Sequence, residues 1–401
     1  MPWRYDNTLR LSYFTDSPWV SRRLLATKPW LERHAITIAS ILWIVTFVVP
    51  AALIVAGRMR AIPFREYMGA GRRWWQHEPL YDLGNIDGFQ YLPQAAILFS
   101  PLAWLGSPTS DVLFRALGWS LYAFGLWRFV RILVPERAPF AFLLASALAT
   151  GPAFGNLING QANLLVGALL LHAGVELIER RWWRASLILT VGLALKPLMA
   201  VPVLLIGVVY RPMTLRLPLL VALMLFTPWL LREASYVSDQ YEACLLKLRL
   251  CADPDRLFED VRGLLVTLGL GLSVSVYLAL RAGAALGVLA MGLWARVRVL
   301  EPAATLLVSA LAAGYLMLFN PRTLSSSYVM TGGFAALLGA KYVLERRHSA
   351  ALLMLALCLA WTINHHVLPW IEFWLRPLAC IAFFIVLARE LFVPQRVTSR
   401  S

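Results

Sequence analysis

The 401-residue chain reads as an all-α, polytopic membrane bundle, and three observations lead there. It is 59% hydrophobic and 15% charged, with mean hydropathy +0.66, so polar side chains are too few to cover a water-soluble globule. Apolar runs of roughly 17 to 25 residues recur along it, the length a helix needs to cross a hydrocarbon layer about 30 Å thick, and they predict about 12 transmembrane helices. The runs are continuous rather than alternating, which excludes a β-barrel.

In chain order, residues 1–34 carry six Lys and Arg ahead of the first apolar run and no small-residue cleavage site, which predicts a cytoplasmic tail rather than a signal peptide. The first span is expected from Ala35 to Gly57, followed by a polar insert, 58–91, on the far side from the cytoplasm. Spans are then expected near 92–106, 112–133, 138–154, 162–178, 184–209 (broken at Lys196-Pro197) and 217–231. A second polar insert occupies 232–262, where the stretch DPDRLFEDVRGLLVTL begins, an amphipathic pattern suited to the interface. The last spans are expected near 273–296, 302–319, 324–340, 349–364 and 370–391, so that 35–391 forms one transmembrane domain and 392–401 a basic cytoplasmic tail.

Assigning basic linkers to the cytoplasm gathers both inserts and the linkers NPRTLSSS and NHHVLPW on the outer face. RRWWR at 180–184 resists a count of simple crossings, which puts it outside although its arginines favour the inside. A helix that runs to Lys196-Pro197 and returns as two half-length pieces restores it, provided an earlier segment is re-entrant. No internal repeat is visible.

The net charge of +15 comes from basic residues placed mainly in short loops and tails, which fits membrane orientation and anionic headgroups rather than nucleic acid. The four cysteines show no CxxC or metal-ligand spacing. Cys358 and Cys380 fall in apolar runs. A continuous helix would hold Cys244 and Cys251 about 10 Å apart, so a disulfide between them requires a non-helical loop.

The first insert concentrates the chemistry. Glu66, Glu78, Asp82 and Asp87 are candidate bases, and Arg65, Arg72, Arg73 and His77 candidate anion binders. The same charges also suit a solvated interfacial loop, with Trp74 and Trp75 in an aromatic belt. Lys196 lies deep in an apolar run, where an unpaired lysine costs about 2.5 to 3.5 kcal/mol to insert; a snorkelling lysine at a helix end is the alternative. In GNLINGQANLL, Asn159, Gln161 and Asn163 stand at the mouth of a span, where amides bind sugars or join helices. Arg322 is placed to meet a phosphate or simply to lie at the interface. His365-His366 lacks a third ligand in evident spacing, so no metal site is expected. Asp253-Pro254-Asp255, the one DxD-like string, reads as a turn.

An outer loop ending in LY, then FQYLPQAAILFSPLAWL, then GQANLLVGALLL, then LALKP, all in this order, resembles glycosyltransferase family 87 over about residues 60–340. The resemblance implies a GT-C fold and transfer of a mannose-like or other sugar from a polyprenyl-phosphate donor to a lipid or glycan acceptor, with inversion. It implies an extracytoplasmic site on a bacterial inner membrane, with polyprenyl-phosphate sugar, acceptor and membrane lipids as partners and no cofactor beyond the donor. Glu66, then Asp87, are the expected bases; Lys196, Arg322 and Arg65 the phosphate binders; and Tyr67, His77, Tyr91, Gln161, Asn163 and Tyr328 the substrate contacts. The family aspartate about four residues before a tyrosine, aligned on Tyr67, falls on Pro63 here. A signature that contains Trp-Asp-His in relatives reads LSSS after NPR. A flippase for lipid-linked sugars would bind the same donor but needs no base. A catalytically inactive family member is the third reading.

Overall fold

The computed structural model describes residues 18–59, 62–252, 256–320, 322–363, 371 and 373–392, and among them all regular structure is helical. Helix α1 (Pro18–Val55) exposes Ile41, Ile44, Val48 and Val49, as suits contact with lipid. Helix α2 (Ile62–Gln76) is amphipathic: Phe64, Tyr67, Met68, Gly71 and Trp74 recur at helical spacing and are buried, while Arg65, Arg72 and Trp75 face outward. It packs along α3 (Pro93–Leu105), which starts at a proline in its first turn and stops at Gly106.

Helix α4 (Thr109–Leu133) runs to the opposite end of the bundle and α5 (Ala138–Asn159) returns; Arg115 near the start of α4 bonds the carbonyls of Leu157 and Ile158 near the end of α5. Gly160, at φ 61° and ψ 39°, caps α5 in the left-handed region and lets the chain turn at once into α6 (Asn163–Ile178). Helix α7 (Trp182–Leu195) comes back toward the inserts, breaks at Lys196-Pro197, and α8 (Ala200–Val209) recedes again. Helix α9 (Met213–Phe226) rises once more to α10 (Ala234–Cys251), and the short α11 (Val261–Thr267) completes the second insert. The remaining helices are α12 (Val274–Arg298), α13 (Ala303–Phe319), α14 (Val329–Leu344), α15 (His348–Thr362) and α16 (Leu375–Glu390).

The centre is formed by α6, α13 and α14. Every residue of α13 from Ala304 to Phe319 is buried, as is every residue of α14 from Val329 to Ala340. Their Ala, Gly and Ser content explains how backbones approach this closely, since helices in lipid gain mainly from packing. At the rim α12 buries only Val288, Gly292 and Ala295.

Several expectations are corrected. The stretch 92–106 is not a crossing: α3 starts beside Tyr91 and ends beside Ser107, which shares a cleft with Ile54, Val55 and Gly57 at the end of α1. Both ends therefore lie at the insert end, and α3 is the non-crossing segment that lets RRWWR fall at the opposite end. Among the described residues, four helical stretches (Pro29–Val55, Pro135–Asn159, Met213–Leu230 and Val274–Arg298) are each long and apolar enough to cross a membrane, alongside six shorter apolar helices. Cys244 and Cys251 both lie on α10 and are free thiols. Residues 253–255 and His365-His366 lie outside the described residues.

Candidate functional site

The two inserts meet the 320–327 linker around a cavity of about 430 Å³, a size that suits a small-molecule site. Four separate parts of the chain bring the chemistry there. Helix α2 contributes Glu66 and Tyr67, and the loop after it Asp87 and Tyr91. The α5–α6 junction contributes Gln161 and Asn163, the α7–α8 break Lys196, and the linker after α13 Asn320 and Arg322.

The contacts explain the placement. The buried face of α2 stacks Tyr67 on Phe99 of α3 at 4.9 Å, and the Tyr67 hydroxyl lies 2.9 Å from that of Tyr91 and accepts from the Ala162 N–H at 3.3 Å. Burial pushes both phenols above their ordinary value, so both remain hydrogen-bond donors at neutral pH. Gly88 sits at φ 94°, a conformation favoured by glycine, and the Glu66 Oε2 lies 3.6 Å from where a Cβ would stand. Glu66 has its nearest cation, Arg73, at 3.9 Å. Asp87, by contrast, is held by the Arg322 guanidinium at 2.5 Å, and Arg322 also donates to the Ile86 carbonyl at 3.0 Å. Lys196 donates to Asn163 Oδ1, whose amide nitrogen donates to Gln161 at 2.9 Å. The Lys-Pro break exposes this ammonium to the cavity because Lys196 is extended, at φ −152° and ψ 111°, rather than helical.

The structure therefore joins eight of the predicted site residues: Glu66, Asp87, Lys196, Arg322, Tyr67, Tyr91, Gln161 and Asn163. The other three lie elsewhere. Arg65 faces the separate cleft beside Ser107, on the side of α2 away from Tyr67. His77 packs against Tyr236, ring centroids 5.4 Å apart, beside Arg232. Tyr328 is buried, its hydroxyl donating to the Glu259 carbonyl at 2.6 Å and its ring stacked 6.0 Å from Trp361.

Two residues escape sequence reasoning. Lys247 on α10 is fully buried and donates to the carbonyls of Asp82 (2.7 Å), Asn85 and Asp87 (2.6 Å), fixing the loop that presents Asp87. Asn320 is buried at the cavity wall; its Oδ1 accepts from the Arg322 N–H at 3.1 Å, while its amide nitrogen has no hydrogen-bond partner among the described residues. Among the described residues no three His, Cys, Asp or Glu side chains are grouped to hold a metal ion. The cavity thus offers a carboxylate open to proton transfer, two cations from distant segments and a ring of amides and hydroxyls. That set suits a substrate joining an anion to a polyol.

Comparison with known proteins agrees with this chemistry. The chain is 32% identical over 156 residues to the polyprenol-phosphate-mannose-dependent alpha-(1-2)-phosphatidylinositol mannoside mannosyltransferase of Mycobacterium tuberculosis. That alignment covers 32% of this chain and 35% of the mycobacterial protein, so the chain matches about a third of that relative's length. Glycosyltransferase family 87 matches residues 89–321, more than half of the chain and a span that includes Tyr91, Gln161, Asn163 and Lys196. The chain belongs to glycosyltransferase family 87.

Proposed function

We propose that this protein is an integral membrane glycosyltransferase that moves a sugar from a polyprenyl-phosphate donor to a hydroxyl of a lipid or glycan acceptor, with inversion, on the extracytoplasmic face. The observation that carries the reading is the convergence of Lys196 and Arg322, distant in sequence, on the cavity that also holds Glu66. Family membership and the mycobacterial relative, named for its polyprenol-phosphate-mannose donor, support the donor class.

In this mechanism Lys196 and Arg322 hold the donor phosphate, and the amides of Asn163, Gln161 and Asn320 bind the sugar hydroxyls. Glu66 takes the proton of the acceptor hydroxyl as its oxygen forms the new bond to the anomeric carbon. The anomeric carbon–oxygen bond to phosphate breaks, and the electron pair leaves with polyprenyl phosphate. The negative charge gathering there meets fixed cations in a partly buried site, where they act more strongly than in water. Asp87, already bound to Arg322, orients that guanidinium rather than acting as the base. Pro63 lines the same cavity, and Glu66 does the work there of the family aspartate.

The test is incubation of the full chain in nanodiscs with a panel of polyprenyl-phosphate sugars and a membrane-lipid extract, following polyprenyl phosphate and new glycolipid by mass spectrometry. Transfer is expected, and Glu66→Gln should lower it about 10²- to 10⁴-fold with donor binding intact. Binding without consumption of any donor would overturn the transferase in favour of a carrier or an inactive protein.

A further inference from the structure

A second cavity of about 260 Å³ lies between the second insert and α12. Its polar lining is Arg256, Arg262 and Arg281 with a single carboxylate, Asp260, and the Tyr277 hydroxyl. Asp260 is already engaged, since its Oδ1 accepts from the Gly263 N–H at 2.8 Å and caps α11. The Arg262 charge reaches Asp260, but among the described residues neither Arg262 nor Arg281 forms a direct ion pair with a carboxylate.

The placement of Arg281 is the informative part. Val274, Tyr277, Leu278 and Arg281 follow one another at three- and four-residue spacing and share one face of α12, the face that lines this cavity. These turns of α12 are open to the surroundings on both sides of that face, with Val274 59%, Val276 52% and Leu278 53% exposed. Arg281 lies about 10 Å along the helix from Val274. An arginine at that depth on a rim helix is costly in hydrocarbon unless an anion or water meets it. Ala252 lines both this cavity and the one holding Lys196 and Arg322, so the two share a wall.

We propose that Arg262 and Arg281 seat the phosphate of a membrane phospholipid, its acyl chains lying along α12 and its headgroup turned toward the shared wall at Ala252. On the transferase reading, from which this follows for the acceptor alone, the acceptor is an anionic phospholipid-class molecule, and the site has two phosphate seats. One holds the donor phosphate at Lys196 and Arg322, and the other fixes the acceptor.

The experiment reads lipid retention, independently of turnover. The full chain is released from nanodiscs of phosphatidylcholine containing equal small fractions of phosphatidylglycerol and glucosyldiacylglycerol, and bound lipid is identified by native mass spectrometry. Selective retention of phosphatidylglycerol is expected. The Arg262→Gln/Arg281→Gln variant should weaken it about tenfold to a hundredfold, the loss expected on removing charge-assisted hydrogen bonds to phosphate. Arg281→Lys should retain part of it, and Arg131→Gln, which removes one charge beside Trp127 in a separate part of the bundle, should not change it. Equal retention of the neutral glycolipid, unchanged retention in the double variant, or competition by glycerol phosphate at the concentrations that phosphatidylglycerol itself needs would each overturn the proposal. Polyprenyl-phosphate release is scored separately. Intact release with unselective retention sinks this seat alone, whereas selective retention without release leaves it standing and sinks the transferase.

Discussion

Two lysines are withdrawn from water at the same end of this bundle and are used in opposite ways. Lys247 meets three carbonyls of the 82–87 loop, and an ammonium has three donors, so it is closed. Lys196 has one such partner among the described residues, Asn163 Oδ1, and otherwise faces the cavity. A cation whose donors are all satisfied belongs to the scaffold; one with donors to spare at a cavity is available to an anion. Burial alone does not separate the two roles, whereas the count of unspent donors does.

The sharpest way to break the comparison is Lys247→Met. It strands three carbonyls, each costing about 1 to 3 kcal/mol when buried and unpaired, so a loss of about 3 kcal/mol or more is expected. This should appear as a clear drop in the melting midpoint of the purified protein, with sugar transfer lost because Asp87 and its neighbours are no longer held. A variant that melts like the wild type would show that the loop is fixed by other contacts. Lys196→Met is expected to behave the other way round. Transfer should fall about 10²- to 10³-fold, the scale of one lost electrostatic contact to a developing negative charge, while the midpoint stays near that of the wild type. If Lys196→Met instead melts early and its folded fraction turns over normally, Lys196 belongs with Lys247.

The open lysine was legible in the sequence and the closed one was not. Lys196 stands out because LALKPLMAV sets a charge and a helix breaker in an apolar run. Arg322 stands out in the linker NPRTLSSS, and Glu66 and Asp87 in a polar insert between apolar runs. Lys247 sits in LLKLRL, an ordinary helical pattern, and its burial depends on carbonyls about 160 residues earlier that no local spacing reveals. Asn320 is equally plain at the end of α13. For Arg65 the signal was present but in the wrong phase. Once the stripe Phe64, Tyr67, Met68, Gly71 and Trp74 fixes the buried face of α2, Arg65 must point away from Tyr67. The failure at 92–106 is one of context, since α3 is as apolar as its neighbours but packs along the amphipathic α2 with both its ends at the insert end, which no local pattern reveals.

Asp260 sharpens the comparison from the anionic side, because its burial is only partly compensated. Desolvation pushes its carboxyl up from 3.8 to about 6, against the lowering effect of the Gly263 and Arg262 N–H groups and the Arg262 charge. A folded pKa above the unfolded one favours the protonated native form. The stabilisation is complete below about pH 4 and is lost as pH rises through about 6. Asp260→Asn keeps a good cap for α11 and removes the titration. The expected result is that the stability of the variant relative to wild type grows by about 1 to 3 kcal/mol between pH 4 and pH 7. A difference that does not vary with pH would mean that Asp260 is charged at no net cost.

The smallest effect tests whether the ring of hydroxyls is scaffold or substrate contact. Tyr67→Phe keeps the ring stacked on Phe99 but removes the bond to the Tyr91 hydroxyl and the acceptor for the Ala162 N–H. One neutral hydrogen bond of this kind contributes about 1 kcal/mol, so the melting midpoint should fall slightly. If the pair only braces α2 against the start of α6, kcat and KM should change less than about threefold, and Tyr91→Phe, which leaves the Ala162 bond in place, should be milder still. If Tyr67 also touches the sugar, KM for the donor should rise about tenfold in Tyr67→Phe with stability scarcely altered, because a buried polar partner in the substrate is then left unmatched. The first outcome puts Tyr67 with Lys247 among the closed groups; the second puts it with Lys196 among those whose donors are kept for the ligand.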